Sequence, residues 1–293
     1  MTMDCIAADA WQLPFIPERL TPLSFTPVWG DLLPAEQLRY NQLHGLYFHE
    51  QIIFIEQAII VPLLRAVQPQ VADAALRDSL NTFITEENTH SQRFHALLAA
   101  LRPEWYARDW RYFVRAGVAG DLFLGGMVRH PRVFPFLIWL VQLMEERSIF
   151  SSRLYLAAAT KFPQSIVAVQ RQHLADEADH VQWDLALTEQ FWEQTPAWLR
   201  RVNTRLLNWM LGEFIAVPRR AALRVIDALA TDLPNLSVPP TRLKEALLCL
   251  AQQPDFRGAV FGRDAVPRTW KRASAAPDLA TFVQSWLSCE HAS

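Results

Sequence analysis

Apolar residues recur along this chain at three- and four-residue intervals, in long stretches separated by prolines. Pro34 stands where a first helical turn would begin, with Asp31 before it as a capping residue. From about 34 to 66 the chain is apolar on several faces, with Pro62 placed to kink it. A second segment, about 71 to 101, carries Leu76, Leu80, Phe83, Ile84, Phe94, Leu97 and Leu98 and stops at Pro103. Gly125-Gly126 and Pro131 break the stretch after Pro103, and a third helix is expected over about 133 to 160. A fourth runs from about 164 to 194 and ends before Pro196. Shorter helical segments lie near 197–217, 219–230, 241–252 and 277–288, punctuated by Pro218, Pro234, Pro239-Pro240 and Pro254. No tract alternates as a strand would, and no repeat of fixed period is visible. The pattern predicts an all-α protein of four long helices with shorter ones behind them.

Residues 1–33 are rich in proline and aromatics and are read as an irregular arm packed on the body, since a linker would be more polar. Residues 34–293 are read as one all-α domain, with 34–195 as the four-helix core and 196–293 as a helical extension.

Composition narrows the function classes. At 293 residues, 51% hydrophobic and 20% charged, the chain can bury a sizeable core and is not of the disordered class. A net charge of −2 supplies no basic surface for nucleic acid or an anionic membrane. Neither a dinucleotide fingerprint nor a P-loop is present. Cys5, Cys249 and Cys289 lie far apart without a C-x-x-C, which argues against both a disulfide framework and a thiolate metal site. Asp4, Asp9 and Pro14 interrupt any signal-like run, and Val133–Met144 is too short to span a bilayer, so a cytoplasmic protein is expected.

The chemistry sits in two of the long helices. Glu87 and His90 form an E-x-x-H pair on the second, and Glu177 and His180 form another on the fourth. Residues three apart share a helix face and can grip one ion. Two such pairs, with one glutamate from each of two further helices, make the layout of di-iron and di-manganese carboxylate bundles, which predicts a ferritin-like four-helix bundle. Glu87 shares its face with Leu80, Phe83, Phe94 and Leu97, whereas Glu86 lies with Ser79, Thr82 and Arg93. A carboxylate aimed into a core needs a positive partner, so Glu87 is the ligand candidate and Glu86 reads as a solvated surface residue.

The first helix offers Glu56, flanked by Ile52, Ile53, Ile59 and Ile60, and Glu50, among Leu46, Tyr47, Ile53 and Phe54; the more uniform apolar surround favours Glu56. The third offers Glu145 or Glu146, and periodicity does not separate them because that helix is apolar almost all round.

The set Glu87-x-x-His90, a glutamate on the third helix, and His173-x-x-x-Glu177-x-x-His180 resembles the p-aminobenzoate N-oxygenase (arylamine N-oxygenase) type of non-haem di-iron proteins. The resemblance covers about 35 to 195 and rests on the histidine four residues before the second pair. It implies Glu146 on the third helix, from its spacing to His173, and Glu56 in the context Phe54-Ile55-Glu56-Gln57. The implied metal ligands are Glu56, Glu87, His90, Glu146, His173, Glu177 and His180.

Helical geometry agrees for the fourth helix: with His173 at zero, Glu177 falls at about +40° and His180 at about −20°. The charges also balance, since four carboxylates offset two divalent ions and neutral imidazoles add nothing. Histidine and carboxylate suit iron, with manganese as the other fit. The region 102–132 is long enough for the crossover such bundles need. Arg153 and Asp184, each seven residues past a candidate glutamate, and His49, two turns before Glu56, are candidates to support the ligands or the substrate.

The expected activity is activation of O2 and oxidation of an amine nitrogen towards a hydroxylamine, nitroso or nitro product. Its partners would be O2, a small aromatic amine and an external electron donor, with a homodimer left open. The alternatives are a di-iron hydroxylase or oxidase acting on carbon, and a non-catalytic ferritin-like metal-binding protein.

Overall fold

Pro34 lacks an N–H where a helical ladder has no use for one, and it opens α1 (Pro34–Ile55). Leu33, not Asp31, holds the capping position, and its N–H donates to the Glu36 carboxylate at 2.8 Å. The computed structural model describes residues 10–115, 117–250 and 253–287. Helix α1 runs directly into a π-helical turn (Glu56–Ile60) and then α2 (Val61–Val67). Pro62 cannot donate to the carbonyl of Ala58, and the Val61 N–H instead reaches back to the carbonyl of Glu56. The proline thus slips the ladder at Glu56 without ending the rod.

The second rod is α3 (Ala74–Leu101), capped by Asp73, whose side chain accepts from the Leu76 N–H at 3.1 Å. A crossover of α4 (Pro103–Tyr106) and α5 (Gly117–Val128) leads to α6 (Phe136–Ala157) and α7 (Gln164–Phe191). Gly125-Gly126 lies inside α5 and does not break it, so the expected interruption falls further on, near Pro131. Helix α3 packs against both α1 and α7, and α6 packs along α7, which closes a four-rod bundle. Among the described residues every regular element is helical, and the fold is an all-α bundle of the ferritin-like kind.

The remaining helices wrap this core: α8 (Ala197–Met210), α9 (Arg219–Asp232), α10 (Pro240–Leu250), α11 (Pro254–Phe261), α12 (Pro267–Ser274) and α13 (Ala280–Phe282). Helices α8 and α12 lie on α6, and α9 lies on α1. Helices α11 and α12, each eight residues long, fall outside the helical segments that the sequence pattern predicts.

The N-terminal region forms three short 3-10 turns between Glu18 and Asp31. Its anchor is Phe15-Ile16, fully buried. The Asn41 side chain accepts from both their N–H groups (2.8 and 3.2 Å) and donates to the Ile16 carbonyl, while Tyr155 Oη donates to the Phe15 carbonyl.

The rod Pro34–Gln70 is long and apolar enough to cross a membrane, yet half of its most apolar window is buried inside the protein and its face carries the buried Glu50 and Glu56. Glu50 ties the crossover to this rod. It accepts from Tyr106 Oη at 2.5 Å and from the N–H groups of Tyr112, Phe113 and Val114 at 3.2, 2.8 and 2.8 Å. Burial pushes its carboxyl up to about 7, against the pull of these four donors.

Candidate metal centre

Each rod delivers its acidic or imidazole groups to the bundle centre by helical spacing. Helix α3 presents Glu87 and His90, α7 presents His173, Glu177 and His180, the π-turn presents Glu56, and α6 presents Glu145. All seven side chains are buried. Their donor atoms form two groups, Glu56–His90–His173 and Glu87–Glu145–Glu177–His180, and within each group the atoms lie within 4.8 Å of one another. The groups meet at α7, where His173 Nε2 is 2.6 Å from Glu177 Oε1 and His180 Nδ1 is 3.7 Å from Glu177 Oε2. Glu87 Oε1 lies 3.2 Å from His180 Nδ1 and 3.4 Å from His90 Nδ1.

Six of the seven sequence candidates converge here: Glu56, Glu87, His90, His173, Glu177 and His180. The seventh does not. Glu146 turns away to the N-terminus of α12, where its oxygens accept from the N–H groups of Arg268 (2.8 Å) and Thr269 (2.7 Å). Glu145 takes the place expected of Glu146, with Oε2 at 3.3 Å from His180 Nδ1. The first helix resolves in the expected sense, because Glu50 faces the crossover and Glu56 the centre.

The assignment of Glu86 to a solvated face is also corrected. Its carboxylate crosses from α3 to His180 on α7, with Oε2 at 3.0 Å from Nε2. Asp176 makes the reciprocal contact from α7 to His90 on α3, again at 3.0 Å. In each E-x-x-H segment the acidic residue just before the glutamate reaches the other segment's histidine. With its outer nitrogen donating to a carboxylate, each ring presents Nδ1 inward as an acceptor. His173 is turned the other way, Nε2 inward and Nδ1 at 3.2 Å from Ser148 Oγ. Ser91 donates to Glu56 Oε2 at 2.5 Å.

The supporting candidates separate. Arg153 is exposed and does not reach the centre. His49 is buried, but its Nδ1–H donates to the Gly45 carbonyl at 2.8 Å and its Nε2 accepts from Gln170 at 3.3 Å. It sits one ring removed, against Phe94, which packs edge-on to His173. Asp184 is buried with neither oxygen hydrogen-bonded, and burial pushes its carboxyl well above the usual carboxylate range.

The electrostatics ask for cations. Among the described residues no lysine or arginine forms an ion pair with Glu56, Glu87, Glu145 or Glu177. Both oxygens of Glu87, one of Glu177 and Nδ1 of His90 are buried without a hydrogen-bond partner. Burial and the neighbouring carboxylates push Glu145 well up, and burial raises Glu56 to about 7. Burial pulls the His173 imidazole down, but Glu177 and Glu56 more than reverse this and take it to about 10. A dry pocket with four carboxylates and inward-facing lone pairs fits two divalent cations, which would neutralise it. The hard oxygen and imidazole donors suit iron or manganese.

A narrow cavity, open on one side, reaches this centre. Glu56, Glu145, His173 and Glu177 form its floor, and Phe48, Ile52, Ile55, Ile60 and Met144 form apolar walls.

Fold and centre together define a class: a ferritin-like helical bundle with a buried carboxylate–histidine cluster able to hold metal ions. The sequence profile of the family described as P-aminobenzoate N-oxygenase AurF matches residues 6–235, and the chain belongs to that family. The family is one of di-iron oxygenases. No curated protein and no solved structure matches the chain.

Proposed function

We propose that this protein is a di-iron enzyme that uses O2 to oxidise the nitrogen of an aromatic amine towards the hydroxylamine, nitroso or nitro level. The observation that carries this reading is the joining of a four-carboxylate, three-histidine centre to an apolar cavity in a chain of this family.

Glu56, His90 and His173 would hold one ion, and Glu87, Glu145, Glu177 and His180 the other. Two iron ions held there supply the redox chemistry towards O2. The protein's own part is to keep the centre dry, fixed and charge-balanced. Glu86, Asp176 and Ser148 fix the three imidazoles from outside, so each ring offers one defined lone pair. Ser91 fixes Glu56, which opens the π-turn of its rod. Phe48, Ile52, Ile55, Ile60 and Met144 exclude water and offer flat apolar contact to an aryl ring, leaving its nitrogen as the group facing the carboxylate floor. Electrons come from an external donor, since no flavin or nicotinamide motif is present.

The test begins with elemental analysis, expected to give two iron ions per chain. The anaerobically reduced protein is then exposed to O2 with a panel of aryl amines, and products are read by mass spectrometry. Nitroso or nitro products support the reading. Products hydroxylated only on carbon would move the activity to the carbon-oxidising alternative, and accumulation of many irons per chain would indicate storage.

A further inference from the structure

Trp183 joins the imidazole of His180 to the outer surface, on a face of the bundle that the cavity does not use. It lies one turn beyond His180 on α7, with ring centroids 5.6 Å apart and planes tilted by 32°. The indole also meets Phe83 of α3 at 5.4 Å, and Phe83 stacks on His180 at 3.9 Å. Trp183 is only partly buried, so an edge of the indole reaches solvent. The cavity reaches the centre between α1 and α6, and neither Trp183 nor His180 lines it.

The rings packed against the centre's histidines differ in what they can do. Phe83, against His180, and Phe94, against His173, are fully buried phenyl groups and give up an electron only with difficulty. An electron-rich indole gives one up far more readily, and the Trp183 π system lies directly against the His180 ring. A centre that reacts with O2 while the cavity is empty holds oxidising equivalents with no amine to take them. Its own histidines and Met144 on the cavity wall are then the nearest targets. A partly exposed indole behind His180 offers those equivalents an exit that spares both.

We propose that Trp183 is a redox relay that discharges the O2-reacted centre through His180 when no amine is bound. This rests on the reading of the centre as one that activates O2. One electron passes from the indole through the imidazole and reduces the centre by one equivalent. The indole N–H proton passes to solvent, which leaves a neutral indolyl radical. A low-molecular-weight thiol returns a hydrogen atom to it, and two of the resulting thiyl radicals join as a disulfide. Trp183 takes no part in the oxidation of the amine; it acts only in turnover without substrate.

The test loads the protein anaerobically with ferrous iron, mixes it with O2 in the absence of amine and thiol, and freezes samples at successive times for electron paramagnetic resonance. The expected result is a tryptophan radical, assigned by the change in its hyperfine pattern when the indole rings are deuterated. Trp183→Phe should abolish the signal with its iron content unchanged, and Trp183→Tyr, which restores an oxidisable ring, should replace it with a tyrosyl signal. In the wild type, peptide mass spectrometry after repeated cycles should find oxygen added to Trp183 ahead of the other tryptophans, and added thiol should suppress it. A wild type that consumes O2 without a tryptophan radical overturns the proposal, and so does oxygen added first to another tryptophan; both outcomes are read whether or not the variants fold. A signal that persists in Trp183→Phe overturns it as well. Product analysis with an aryl amine separates the relay from the functional reading: oxidised nitrogen without the radical refutes the relay alone, and the radical without oxidised nitrogen refutes N-oxygenation alone.

Discussion

Glu145 and Glu146 are adjacent in the chain and serve opposite ends of the same architecture. Glu145 Oε2 lies 3.3 Å from His180 Nδ1 in the centre, while Glu146 caps α12 through the N–H groups of Arg268 and Thr269 at 2.8 and 2.7 Å. Successive residues on a helix point about 100° apart, so one helix serves the metal centre and anchors the C-terminal helices at once. Residues 268 and 269 lie beyond the 6–235 span matched by the family profile.

This division predicts different losses. Glu145→Ala should reduce bound metal to one ion per chain or fewer. Glu146→Ala should leave the metal content intact and lower stability by about 2–4 kcal/mol, because two backbone donors lose a charged acceptor. Elemental analysis and urea unfolding distinguish the two. Metal loss in Glu146→Ala alone would restore the assignment drawn from sequence spacing.

The crossed carboxylate–histidine contacts predict that Glu86→Ala and Asp176→Ala each weaken metal binding about 10–100-fold, with full occupancy recovered at saturating metal. Chelator competition measures this. Glu86 is the sharper test, since Asp176 also lies 3.8 Å from Arg93 whereas Glu86 was expected to be a plain surface residue. Unchanged affinity in Glu86→Ala would return it to that status.

Glu50 predicts a pH dependence separate from the metal centre. Its carboxyl is raised from 4.5 to about 7 by burial, so the folded protein holds a proton there that the unfolded chain releases. The stabilising contribution is complete below about pH 4.5 and is lost as pH rises through about 7. Relative to Glu50→Gln, the wild type should lose up to about 3 kcal/mol between pH 4.5 and 8. Urea unfolding of both proteins across that range reads the difference. A constant difference would mean that Glu50 is ionised throughout, held by its four donors.

The docking of the N-terminal region depends on Gly45. A Cβ there would lie 2.5 Å from the Phe15 Cβ and 3.0 Å from the Phe15 carbonyl carbon. Gly45→Ala should therefore cost about 1–3 kcal/mol by overpacking. Thermal unfolding is the measurement, with early proteolytic cleavage near Phe15 as its structural counterpart. An unaltered midpoint would show that this contact can yield.

The sequence by itself determined the rods and most of what they carry. Three- and four-residue spacing is a local property, and it placed Glu87 with Leu80, Phe83 and Phe94 and put His173, Glu177 and His180 on one stripe of α7. It favoured Glu56 over Glu50 for its more uniform apolar surround, but both are buried, and only the crossover donors around Glu50 assign it away from the centre. Where a helix is apolar all round, as α6 is, periodicity carries no direction, and only the packing of α7 and α12 on its two sides decided between Glu145 and Glu146. Glu86 and Asp176 look like solvated positions on their own helices, because the histidines that claim them stand on a neighbouring rod. The nearest signal was the acidic residue just before each E-x-x-H glutamate. The burial of Arg147 had no local mark at all, since its place over Phe48 and Phe261 exists only once α1, α6 and α11 meet. Helix faces are set by the order of residues along one chain segment; which groups share a dry pocket is set by contacts between segments far apart in that order.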